Sequence, residues 1–324
     1  MRCNVARLGW AACMLAAVLV TGCGSTSTST TSKKAAAKKA ASALSTSTSS
    51  TSSSKGATSS IPPTSKIPAI AAQVPASVKS KGTYTVAADA TYAPNEFIAG
   101  DGHTVIGMDA DLAKALGAVM GLKINVVNAT FDSIIPGIQA GKYDMGASSF
   151  TDTKARQKVV DFVTYFSAGT SFYTKAQGGT SLAALAGLCG DTAAVEAGTT
   201  EQADATAQDK KCKAAGKPAV SVLVYPNQNE VNLAVQSGRA QIGMADSPVA
   251  AYAVKQSHGL LTLAGQPYGT APYGLALPKG NGMAKPVLDA LRALMANGTY
   301  MKILDKWGIQ AGAISDPTIN GATS

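Results

Sequence analysis

Histidine is almost missing from this chain: His103, in an Asp-Gly-His turn, and His258, in a Ser-His-Gly turn, are the two in 324 residues. Imidazole is the usual acid–base group and a common metal ligand, and neither turn sets one beside a nucleophile or a second ligand. The HExxH, P-loop and GxSxG patterns are missing as well, so no metal and no cofactor are expected. Cysteine is scarce, and three of the five fall within the first 23 residues. Acid is absent from residues 1–81, which hold ten of the 28 lysines and arginines. The remainder carries 18 basic and 19 acidic residues, so the formal charge of +9 belongs to the N-terminal segment. With no basic stripe interleaved with aromatics beyond it, nucleic acid is not an expected partner. The leading apolar run, residues 8–20, is too short to span a bilayer comfortably.

That run follows the short basic stretch 1–7 and ends at Thr21-Gly22-Cys23, which predicts an export signal over residues 1–22. Thr-Gly-Cys resembles a bacterial lipobox. The resemblance implies a diacylated Cys23 as the mature N-terminus, anchored in the lipid membrane at the outer face of the cytoplasmic membrane, in the cell envelope. An ordinary signal peptide with an incidental cysteine is the alternative. Residues 23–80 are mostly Ser, Thr, Ala, Lys and Pro, with too little apolar surface to offset the entropy of ordering, which predicts a disordered tether. In an oxidising compartment the remaining pair, Cys189 and Cys212, is expected to form a disulfide.

Beyond residue 81 the pattern alternates. Residues 83–88 read as a strand ending at Asp89. A helix follows with Asp109 at its N-cap, Leu112, Ala115, Leu116 and Val119 on one face, and Gly121 at its end. Strand 123–128, helix 131–140 and strand 143–147 come next, the last delivering Ser148. A second unit begins near Ala176, with strands at 192–195, 221–225 and 241–245. A strand at 273–278 and helices at 283–296 and 300–307 finish the chain. This rhythm predicts an α/β fold of parallel sheets flanked by helices. Ligands in such sheets bind beyond the carboxyl ends of the strands, where Asp89, Phe131 and Ser148 fall.

Four segments carry the chemistry: Asp89-Ala-Thr-Tyr92, Gly107-Met-Asp-Ala-Asp-Leu112, Phe131-Asp-Ser-Ile-Ile-Pro136 and Ser148-Ser-Phe-Thr-Asp-Thr-Lys-Ala-Arg156. They supply two aromatic walls, a run of hydroxyls and an arginine whose planar fork suits a carboxylate. Gly198-Thr-Thr-Glu201 and Ala245-Asp246 add hydroxyls and a carboxylate that suits an ammonium group. The order and spacing, over about residues 81–308, resemble the polar amino-acid family (family 3) of solute-binding proteins that serve ABC importers.

The resemblance implies a two-lobed, periplasmic-binding-protein-like (type II) fold. One lobe would take residues 81–174 and 273–310, the other 175–272, and a C-terminal tail 311–324. Two strands crossing at about 173–176 and 271–276 would form the hinge. It implies that Arg156 pairs with the ligand carboxylate beside Ser149, Thr151 and Thr200, and that Asp246 holds the ammonium. Tyr92 and Phe131 would sandwich the ligand side chain, and Asp89 and Ser148 would lie in the side-chain pocket. Plainer readings stand beside these: Arg156 as a surface charge, the hydroxyls as turn formers, Asp246 as a helix cap before Ser-Pro, the aromatics as core. Asn95, where the family commonly has an aromatic, would remove apolar surface from the pocket mouth. Glu201, where Gln is frequent, would add an acid near the ligand's charged end. Asp109 and Asp111, though spaced like a catalytic pair, read as a helix cap and a first-turn charge. The expected function is a monomeric, lipid-anchored binder, not an enzyme, that hands a polar amino acid to a membrane ABC permease. A sensing or adhesion receptor without transport, and a dehydratase-type enzyme on the same fold, are the alternatives.

Overall fold

The computed structural model describes residues 64–322. The expected signal segment, Cys23 and the tether up to residue 63 lie outside the described residues. Residues 68–79 include two short helices, so the expectation of a disordered tether up to residue 80 is corrected there. Helices α1 (Pro68–Gln73) and α2 (Ala76–Lys79) precede the first strand. Ile67, Ile70, Val74 and Val78 pack on the first lobe's core, and the Ile67 N–H bonds the Val119 carbonyl at 3.0 Å. Averaged over the Ser/Thr-rich segment, these four apolar residues vanish; in the fold Ile70 and Val74 are buried and Ile67 and Val78 half-buried against the first lobe.

Strand β1 (Tyr84–Ala88) runs into a small antiparallel sheet of β2 (Thr91–Tyr92), β3 (Glu96–Ile98) and β4 (Val105–Ile106). Helix α3 (Met108–Met120) then begins one residue before the expected Asp109 cap. Gly107 is the N-cap, at φ 127°, and a Cβ there would lie 2.2 Å from the Asn95 carbonyl oxygen. Glycine alone permits both the conformation and the approach. Asp109 is therefore in the first turn and fully buried, not capping.

Strand β5 (Ile124–Asn128), helix α4 (Phe131–Gln139) and strand β6 (Met145–Gly146) complete the first half of this lobe, with β5 and β6 parallel to β1 on either side. The long strand β7 (Val160–Lys175) leads to β8 (Thr192–Glu196), α5 (Thr200–Ala214), β9 (Ser221–Tyr225), α6 (Gln228–Gln236), β10 (Ile242–Asp246) and α7 (Ser247–Gln256). The slightly longer β11 (Leu261–Pro278) returns, and α8 (Ala284–Ala296) and α9 (Thr299–Trp307) cover the first lobe.

All the large strands join one eight-stranded sheet, ordered β5-β1-β6-β11-β7-β10-β8-β9. Its two ends are parallel, and β7 and β11 pair antiparallel through the middle. Thr170 to Tyr173 already pair with β10 in the second lobe, while Phe162 and Phe166 pair with the returning part of β11. The first crossing thus falls near residues 167–169 instead of 173–176; the ladder to β10, invisible in the sequence, fixes it. Period-2 alternation splits the second lobe's core: Ala193, Val195, Ile242 and Met244 face α5, while Ala194 and Ala245 face α6 and α7. The disulfide Cys189–Cys212 ties the segment before β8 to α5. The expected tail is not loose: Ile319 bridges Val163, and the Ala322 N–H bonds the Asp152 carboxylate at 3.1 Å. Among the described residues no helix is long and apolar enough to cross a membrane.

Candidate functional site

The strand ends of both lobes meet at one narrow, nearly closed cavity. Its wall includes all ten residues singled out from the sequence: Asp89, Tyr92, Phe131, Ser148, Ser149, Thr151 and Arg156 from the first lobe, and Thr200, Glu201 and Asp246 from the second. Glu196 and Thr199 line it too, and sequence reasoning missed both. Glu196 left a signal, an acid closing an otherwise apolar strand just before Gly198-Thr-Thr. Thr199 is the N-cap of α5, its hydroxyl accepting from the Gln202 N–H at 3.1 Å.

Arg156 follows the turn after β6, within a short 3-10 segment (Arg156–Lys158). Its guanidinium donates from Nη1 to the Thr151 carbonyl and from Nη2 to the Gly198 carbonyl, both at 2.9 Å. It also lies over the Phe131 and Phe150 rings, with centroids at 5.3 and 5.5 Å. This fixes the fork at the cavity wall and rules out a freely solvated surface charge. The Gly198 contact crosses the cleft, so the lobes are closed. Gly198 itself sits at φ 79°, and a Cβ there would stand 3.0 Å from that of Asp132 on α4.

Asp246 occupies the N-cap position of α7, but its side chain makes no capping bond. Its carboxylate instead accepts the Tyr92 hydroxyl proton at 3.0 Å, and its N–H donates back to that oxygen at 2.9 Å. Tyr92, carried on β2, packs within the second lobe's apolar cluster with Val231, Val249 and Ala250. Glu201 accepts from Thr170 at 2.6 Å and Thr200 at 3.0 Å. Asp89 accepts from the Phe131 N–H at 2.9 Å and from the Thr91 N–H and hydroxyl at 3.1 and 2.6 Å.

The four acids form two groups. Glu201 and Asp246 are the charges acting most strongly on Arg156, whose pKa burial draws below the usual guanidinium range. Asp89 and Glu196 instead lie close to each other across the cleft, on opposite walls of the cavity. Burial first, then the charge of Asp89, lifts Glu196 well above the carboxylate range. Burial likewise raises Asp89 and, with Glu201 beside it, Asp246. Glu196 Oε1 is buried with no hydrogen-bond partner. One end of the cavity therefore offers a cation flanked by acids, and the other a carboxyl pair suited to a second positive group.

Asn95 does not open onto this cavity, which corrects the expectation for it. It is fully buried behind the wall, its Nδ2 donating to Ser149 Oγ at 2.9 Å. Asp109 is no helix cap but part of the same support, accepting the Ser149 N–H at 2.7 Å. Among the described residues no cluster of three or more His, Cys, Asp or Glu is arranged to hold a metal ion.

Two α/β lobes spanned by two long strands, with a cleft lined from both sides, define the type II solute-binding architecture. Residues 84–310 match the model of the bacterial extracellular solute-binding proteins, family 3, and the chain belongs to that family. The arginine-binding protein ArgT of Corynebacterium glutamicum is 34% identical over 255 residues, 78% of this chain and 83% of its own. An ancestral arginine-binding protein bound to arginine matches with a TM-score of 0.64 at 35% identity, over 70% of this chain and 98% of that one. An ancestral amino acid-binding protein, a precursor of cyclohexadienyl dehydratase, matches with a TM-score of 0.62 at 32% identity, over 71% and 97%.

Proposed function

We propose that this protein captures a cationic amino acid, arginine foremost, without altering it chemically, and delivers it to an ABC importer. The observation that carries this reading is the charge inventory of the cavity: four carboxyl groups and one guanidinium. A zwitterion with a neutral side chain would satisfy Arg156 and Asp246 and leave the Asp89–Glu196 pair facing no positive group. A side-chain guanidinium would supply that charge and a donor for Glu196 Oε1. The names of the relatives, arginine-binding proteins among them, point the same way.

In this reading α-carboxylate pairs with Arg156, with the hydroxyls of Ser149, Thr151 and Thr200 alongside, while α-ammonium meets Asp246 and Glu201. Tyr92 and Phe131 flank the side chain, which runs toward Asp89, Ser148 and Glu196. Export and acylation at Cys23 would place the monomeric domain outside the cytoplasmic membrane, within reach of a permease. The test is calorimetric titration of protein freed of carried ligand by unfolding and refolding. Arginine should bind most tightly, lysine less so, and glutamine weakly. Equal affinity for glutamine and arginine would sink the cationic reading. Recovery of the titrated arginine unchanged would separate binding from dehydratase-type chemistry.

A further inference from the structure

Behind the cavity wall, next to Asp89 but distinct from the four acids described above, lies a second carboxyl pair. Glu96 on β3 and Asp109 on α3 are both fully buried, and both carboxyls lie within hydrogen-bond distance of one oxygen, Ser149 Oγ, at 3.2 and 3.5 Å. Two carboxylates this deeply buried beside one another would repel with little water to screen them, and a proton on one of the two removes that cost. Asp109 accepts the Ser149 N–H at 2.7 Å, the work of an ionised group, so Glu96 is the proton carrier. The Glu96 carboxyl also receives the Ser148 and Ser149 hydroxyls at 3.1 and 3.2 Å, one on each oxygen.

Both members of the pair grip the Ser148-Ser149 loop. Ser148 Oγ in turn accepts the Asp89 N–H at 2.8 Å. Ser149 sits at φ 50°, a left-handed conformation that a serine holds only when its surroundings impose it. Three groups impose it here: Asp109 on its N–H, and Glu96 and Asn95 on its hydroxyl.

We propose that Glu96 and Asp109 are positioning residues: a single proton shared between them sets the Ser148-Ser149 loop in its ligand-ready form. The proposal rests on the reading that these two serines face the ligand. Asp109 is raised by burial to about 6, and burial with the Asp109 charge lifts Glu96 further, consistent with one proton held at neutral pH. The titratable groups facing the pair are Tyr165 from β7 and Asp89 from the end of β1. When the shared proton leaves at alkaline pH, two adjacent buried charges repel and the loop loses its anchor.

The test uses the intact protein, with arginine as probe, across a range of pH. Glu96→Gln keeps a donor toward Asp109 and an acceptor for a serine, but cannot lose a proton. It should bind arginine within about threefold of wild type at neutral pH and retain affinity at alkaline pH, where wild type loses it. Glu96→Leu should lose about tenfold or more at neutral pH, since the serines lose their acceptor. An alkaline loss of equal size in wild type and Glu96→Gln, or wild-type affinity in Glu96→Leu, overturns the proposal. If Glu96→Leu does not fold, infrared spectroscopy decides. A protonated-carboxyl C=O band should be present at neutral pH in wild type and weakened in Glu96→Gln; an unchanged band overturns the proposal. That band needs no ligand, so it tests the shared proton even if wild type binds no arginine and the functional reading fails.

Discussion

The Tyr92 hydroxyl and Asp246 exchange two hydrogen bonds, 3.0 Å to the carboxylate and 2.9 Å from the backbone N–H, across the cleft between the lobes. A first-lobe side chain is thereby anchored to the residue expected to hold the ligand's ammonium. Tyr92→Phe removes both bonds while keeping the ring in the second lobe's cluster. Each such bond contributes on the order of 1 kcal/mol. Small-angle scattering of the ligand-free variant should therefore show a larger radius of gyration than wild type, with the arginine-saturated forms alike. Identical ligand-free profiles would argue that the pair does not help hold the lobes together.

Arg156 should dominate affinity. Truncating one member of a buried, hydrogen-bonded charge pair costs about 2–5 kcal/mol. Arg156→Ala should thus weaken arginine binding by at least tenfold while circular dichroism stays native, since the side chain holds no core position. Arg156→Lys should recover little, because an ammonium cannot make two parallel bonds to a carboxylate. Unchanged affinity in calorimetry would remove Arg156 from the site.

Selectivity between arginine and glutamine should reside in Glu196 and Asp89. A hydrogen bond to a charged group is worth about 1.5–3 kcal/mol, so Glu196→Gln should lower arginine affinity by roughly ten- to a hundredfold. Glutamine affinity should hold or rise. A parallel drop for both ligands would mean that Glu196 shapes the cavity without reading the side chain.

Proton linkage should be measurable. Burial raises Asp89, Glu196 and Asp246, so the folded, ligand-free protein holds protons that the unfolded chain has released. The stability these groups contribute is complete below the ordinary carboxylate range and is lost as pH rises through their raised values. Ligand-free protein should accordingly melt at a lower temperature as pH climbs above that range. A cationic ligand favours the ionised carboxyls, so arginine should release protons on binding and stabilise the protein more as pH rises from the carboxylate range to neutral, short of the alkaline range in which the Glu96–Asp109 proton is lost. Titrations near neutral pH in buffers of different ionisation enthalpy would read the release; identical apparent enthalpies would contradict it.

The disulfide should affect stability and spare binding. It closes a loop of 23 residues within the second lobe, which corresponds to about 3 kcal/mol in the chain-entropy description. The double substitution Cys189→Ser, Cys212→Ser should lower the melting temperature clearly and leave arginine affinity within about twofold, because neither cysteine lines the cavity. A large loss of affinity would show that the bridge braces the cleft.

The sequence by itself determined the α/β rhythm, because strand and helix periodicities are local and leave their mark in each short segment. Its order and spacing of motifs, through their resemblance to the solute-binding family, also marked ten of the twelve cavity residues, although Asp, Ser and Thr at strand ends are by themselves ordinary turn residues. Other matters only the tertiary structure decided. Whether Asp246 caps α7 or turns into the cleft depends on the Tyr92 hydroxyl, 154 positions away in the chain. That Asp109 supports a serine loop depends on Glu96 and Ser149 meeting it, and Gly107 taking the cap depends on the approach of the Asn95 carbonyl. The fold of residues 67–79 was hidden because four apolar side chains gain their burial from α3 and α8, not from one another. In each case two or more plausible local roles compete, and the choice follows from which distant group removes the cost of burial. That partner is a property of the packed molecule and cannot be read from its neighbours in sequence.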